Sequence, residues 1–127
     1  MNKISITHIS NAHNRWLRSL EFYKQEINIL KNMLTEIAKK NTGESVMKEV
    51  EHYENQFKLQ TENIDRLSHD IRANISKIEK QAEASTAGYI DSSLLSQHNA
   101  LEEKFETEET IINELRGAFH HFASEWM

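Results

Sequence analysis

Apolar residues recur at alternating intervals of three and four along three stretches of this chain, and no other feature constrains its fold as strongly. In the first stretch Ile9, Trp16, Tyr23, Leu30 and Ile37 form one set, and His13, Leu20, Ile27 and Leu34 the other. In the second, Val46, Tyr53, Gln60, Leu67, Asn74 and Gln81 alternate with Val50, Phe57, Ile64, Ile71 and Ile78. In the third, Leu94, Leu101, Glu108, Leu115 and Phe122 alternate with His98, Phe105, Ile112, Phe119 and Trp126. A 3-4 spacing gathers these side chains on one face of an α-helix, whereas a half-buried strand needs a period of two. The 127 residues include no proline and only three glycines, so little in the chain can interrupt such helices.

The pattern predicts helices over about 10–40, 45–85 and 92–126. Lys39 and Lys40 suit a helix C-terminus, and Gly43 suits a left-handed stop just beyond it. Asp91 or Ser92 can cap the third helix, while Gly117 falls on its outer face. Short connections near 41–45 and 86–91 favour antiparallel neighbours. The expected fold is therefore all-α: one domain, an elongated antiparallel three-helix bundle running up-down-up. The first helix is the more cationic and the third strongly acidic, so the two parallel helices are expected to attract each other. Leu17, Phe22, Ile29, Met33, Met47, Leu59, Ile75, Leu95, Ile111 and Met127 lie off the stripes. They either widen the core or leave an apolar strip that completes a larger bundle, through self-association or a helical partner.

Composition removes whole classes of function. Without cysteine there are no disulfides, thiolate metal sites or cysteine nucleophiles. The net charge is −5, and no basic face interleaved with aromatics is present, which argues against nucleic acid as a partner. No apolar run approaches the length of a membrane span, and Met1–Ser10 lacks the layout of a secretion signal, so the expected address is the cytoplasm without membrane insertion. A narrow three-helix core leaves little room for a substrate cavity, which favours a non-enzymatic interaction or assembly module with no cofactor.

Several polar residues fall where the stripes demand burial: Trp16, Tyr23, Gln60, Asn74 and Glu108. Folding the segments about their turns places Trp16 near Glu108 and Tyr23 near Gln60, and a polar group is tolerated inside a bundle only when it is paired. Glu108 is expected at the core edge, held by the Trp16 indole or by a cation such as Arg15 or Lys104. Two other chemistries have candidate residues. His98 and Glu102, four apart on one face, with His13 approaching from the first helix, offer nitrogen and oxygen ligands for a metal. Helical di-iron sites use two Glu-x-x-His pairs, however, and this chain has one such spacing, Glu49 to His52.

The run Leu67-Ser68-His69-Asp70-Ile71-Arg72 resembles the phosphoacceptor box of sensor histidine kinases. That resemblance implies His69 as the phosphate acceptor, Asp70 as the acid that assists its proton balance, and a stand-alone phosphotransfer protein. The likeness spans six residues. It is followed here by Ala73 and Asn74 instead of the family's Thr or Asn and then Pro, and no nucleotide-binding box accompanies it.

Overall fold

The computed structural model describes residues 6–84 and 92–127, and 96% of it is helical. Helix α1 spans Ile6–Lys40, α2 Glu44–Ala84 and α3 Ser92–Trp126. The three pack against one another as an all-α bundle, with no strand among the described residues. α1 begins four residues before the expected start, because the stripe extends back through Ile9, which is fully buried. The expected turn at 86–91, with Gly88 and the Asp91 cap, lies outside the described residues; α3 opens at Ser92.

The turn between α1 and α2 is short because its polar groups are satisfied locally. The Asn41 backbone N–H and side-chain amide both donate to the Ile37 carbonyl, at 3.0 and 2.9 Å. The same amide donates to the Trp126 carbonyl at 3.2 Å, tying the end of α3 to the turn and meeting an acceptor that a helix terminus otherwise leaves orphaned. Gly43 does not adopt the expected left-handed conformation. Its carbonyl accepts from the Met47 N–H at 3.1 Å, so it begins α2 instead of stopping α1. A Cβ there would meet only Val46, at an ordinary 3.8 Å.

The stripes form the core as their period requires. A main cluster runs from Ala12 and Trp16 through Leu20, Ile27, Leu34, Phe57, Ile64, Phe105 and Ile112 to Phe119 and Phe122. A smaller cluster of Ile9, Ile78 and Leu94 closes the end that holds the start of α1. Aromatic rings fill the opposite end: Tyr53 lies 5.3 Å from Phe119 and 5.0 Å from Phe122, and Phe57 lies 5.2 Å from Phe119. Edge-on and tilted packing of this kind suits ring quadrupoles, and each ring buries a large apolar area.

The off-stripe residues divide. Leu17, Met33, Met47 and Ile75 fold against the main core, and Leu95 against the end cluster. Phe22, Ile29, Leu59 and Met127 stay exposed. Between α1 and α3 the expected attraction of a basic helix for an acidic one takes an unexpected form. The acid of the buttressing ion pair, Glu26, comes from the basic helix, and the cation, Arg116, from the acidic one. Net helix charge did not forecast which side chains meet.

Candidate functional site

Two layers of buried polar side chains cross the bundle, and a cleft between α2 and α3 connects them. Nearer the small end cluster, α1 contributes His13, α2 Asn74 and α3 His98; these residues are 0%, 3% and 2% exposed. They are buried because each occupies a stripe position facing inward. The Asn74 amide nitrogen lies 3.1 Å from His13 Nε2, within hydrogen-bond distance. The two imidazoles meet edge to face at 5.3 Å, and Trp16 stacks on His98 at 5.1 Å and on Phe105 at 5.8 Å.

This layer is incompletely paired. His13 Nδ1, His98 Nδ1 and Asn74 Oδ1 are buried without a hydrogen-bond partner. The Ile9 carbonyl acts on His13 in favour of its charged form, but not at hydrogen-bonding geometry to Nδ1. Burial dominates, and with repulsion from His98 it pushes the His13 pKa down to about 4. Burial also lowers the His98 pKa; Glu102, at 3.8 Å from Nε2, opposes that shift and His8 adds to it. Both rings are thus held neutral near neutral pH.

The second layer lies further along the bundle, where Gln60 of α2 faces Glu108 of α3. Glu108 is 6% exposed, and burial alone raises its pKa to about 7. With the Gln60 amide nitrogen turned towards it, both carboxylate oxygens accept from that nitrogen, at 3.1 and 2.7 Å. The expectation that every seventh position of the third stripe faces inward therefore holds at Glu108. Its expected partners do not. Trp16 is level with His98 and Phe105, and no cation shifts the Glu108 carboxyl; Gln60 meets it instead.

Tyr23 also departs from expectation. It is half-buried and donates not to Gln60 but to Glu109, at 2.6 Å. Burial, the hydrogen bond and the charge of Glu109 together push its pKa up to about 12. The phenol is long enough to reach the α3 residue that flanks the stripe, so it leaves the core level occupied by Gln60.

The cleft has a volume of about 510 Å³ and is lined by Asn63, Arg66 and Asp70 of α2 and by Glu103, Lys104 and Glu108 of α3, among others. A smaller hollow of about 250 Å³ continues it past Asn74. Its rim mixes both signs of charge, and its floor reaches a buried carboxyl at one end and a buried amide at the other.

The metal candidates come into one neighbourhood without forming a ligand set. His13 and His98 touch and Glu102 approaches His98, yet among the described residues no group of three or more His, Cys, Asp or Glu can hold a metal ion. The His13 nitrogen nearest another polar group is used by Asn74. In the phosphoacceptor-like run, Leu67 and Ile71 are buried and His69 is exposed on the outer face of α2, while Asp70 is half-buried in the cleft. Sequence reasoning missed the Asn63 and Arg66 side of the cleft. Those residues are polar and off the stripe, and only the pairing of α2 with α3 reveals that they approach Gln60 and Glu108. The chain has no significant match to a protein-family model, a curated protein or a solved structure.

Proposed function

We propose that this chain is a non-enzymatic helical interaction and assembly module of the cytoplasm that associates with a second copy of itself. The supporting observation is an apolar pair on the outer face of α1: Phe22 and Ile29, seven residues apart, are 59% and 60% exposed. Two turns of helix align them on one stripe, and the core is already closed without them. Arg15 and Arg18 accompany the pair on α1, and α3 carries Glu102, Glu103 and Glu106 on its exposed surface. A second copy supplies both an apolar stripe and the complementary charge. Among the described residues no helix is long and apolar enough to cross a membrane.

Sedimentation velocity over a concentration series tests this reading. The expected result is a reversible dimer that Phe22→Glu with Ile29→Glu converts to a folded monomer. A native chain that stays monomeric at every concentration overturns it. The exposure of His69 between buried Leu67 and Ile71 supports a second reading, histidine phosphotransfer. Incubation with a phosphorylated receiver domain should then label the native chain and not His69→Gln; an unlabelled native chain removes that reading.

A further inference from the structure

We infer that Gln60, Asn63 and Arg66 form a relay that carries the protonation state of buried Glu108 to the rim of the α2–α3 cleft. The relay rests on one atom position with two possible identities. The Gln60 amide atom that faces Glu108 lies 3.1 and 2.7 Å from the two carboxyl oxygens. When this atom is the amide oxygen, the Asn63 amide nitrogen donates to it at 3.4 Å, and Arg66 in turn donates to the Asn63 oxygen at 3.5 Å. An oxygen so close to two carboxyl oxygens is tolerated only if one of them carries a proton and donates. When Glu108 is ionised, the amide nitrogen must face it and satisfies both oxygens.

The two arrangements exclude each other. With Glu108 protonated, a continuous chain of donors runs inward: Arg66 to Asn63, Asn63 to Gln60, and Glu108 to Gln60 from the other side. Loss of the Glu108 proton to solvent through the cleft turns the Gln60 amide over. Asn63 then faces a donor with its own donor and turns over or swings away, and either movement takes its oxygen from Arg66. The outer links are long and weak, so they yield while the short central contact is kept. No covalent bond changes; a proton leaves and one amide rotates.

The surroundings leave Glu108 in control. On α2 the charged groups along the cleft are Arg66 and Asp70, and on α3 they are Glu103 and Lys104. On the α1 side, Tyr23 is engaged by the neighbouring Glu109, and Glu26 by Arg116. None of these shifts Glu108, whose pKa of about 7 follows from burial. The titration therefore falls where the cleft would meet both states under ordinary conditions.

Side-chain nuclear magnetic resonance of the full chain between pH 5.5 and 8.5 tests the relay. The Glu108 carboxyl, the Gln60 and Asn63 amides and the Arg66 guanidinium should shift with one common midpoint near 7. In Glu108→Gln, an isosteric neutral change, the other three signals should become independent of pH. Asn63→Ala should preserve the Glu108 and Gln60 titrations and flatten that of Arg66. A native chain in which Glu108 titrates in the ordinary carboxyl range overturns the inference. So does one in which Glu108 and Gln60 titrate near 7 while Asn63 and Arg66 stay fixed. These outcomes are read from the native chain first, so they do not depend on whether either variant folds.

Discussion

The His13–Asn74–His98 layer and the Gln60–Glu108 layer are both polar crossings of an apolar core, yet burial acts on them with opposite sign. In each, removal from water favours the uncharged form. For the histidines that form is the deprotonated one, and the His13 pKa falls to about 4. For Glu108 it is the protonated one, and the pKa rises to about 7. The layers also differ in how well they are paired. The histidine layer leaves three buried atoms without partners, whereas the Gln60 amide can face Glu108 in a satisfying way in either protonation state. An amide beside a titrating carboxyl can turn over; an imidazole wedged between Trp16 and a second imidazole cannot adapt as easily.

The largest effect that tests this contrast is an acid-induced loss of stability when Glu108 is made neutral. The lowered folded-state pKa of His13 means that its stabilising contribution is complete above about 6.5 and is lost as pH falls to about 4. The loss amounts to about 3 kcal/mol from His13 alone, and His98 adds to it in the same direction. In the native chain Glu108 opposes this change. Its raised pKa gives a contribution that is complete below about 4.5 and lost as pH rises to about 7. Urea titrations from pH 4 to 7 should therefore show a steep rise in stability for Glu108→Gln and a much flatter profile for the native chain. Equal slopes would show that the two layers do not offset each other.

The reciprocal variant has a smaller expected effect. In His13→Leu the Glu108 term is less opposed, so stability should fall as pH rises from about 4.5 to 7. The decline should stay below about 3 kcal/mol, because His98 still pulls the other way over part of that interval. The same titrations measure it. A smaller effect again is expected for Gln60→Leu, which removes the donor to the ionised carboxylate. It should cost about 1–2 kcal/mol at pH 8 and raise the Glu108 midpoint further, as a shift in its carboxyl resonance would report. An unchanged midpoint would mean that Gln60 holds the charged form no more strongly than the protonated one.

Much of this architecture was legible in the sequence because a helical stripe has one period and a bundle one interior. The positions of Trp16, Gln60, Asn74 and Glu108 within their stripes sufficed to bury all four. The stripe gives the level of a residue along the helix but not the direction in which a long side chain leaves it. For that reason Trp16 was expected against Glu108 and instead stacks between His98 and Phe105. The flanks of the stripes carry the remaining information. Glu26 with Arg116 and Lys24 with Asp65 both depend on residues just outside the apolar face, where charge composition predicts no particular pairing.

Tyr23→Phe separates level from direction with the smallest perturbation. Tyr23 occupies a stripe position, so by level it belongs with Gln60, but its hydroxyl leaves the core and donates to Glu109 at 2.6 Å. The substitution keeps the ring and removes only that donor. A single hydrogen bond to a charged acceptor at a half-buried site contributes about 1 kcal/mol, so denaturant titration at pH 7 should show a loss of that order. The Glu108 midpoint should stay near 7 and the Gln60 amide signals should stay where they were, since the phenol donates to Glu109 and not to either group. A shift in the Glu108 midpoint would place Tyr23 in the same network as Gln60 after all, and the carboxyl would then be tuned from α1 as well as from α2. An unmoved midpoint with the expected loss of stability would confine proton sensing at this level to α2 and α3, with the Tyr23–Glu109 bond a structural tie from α1.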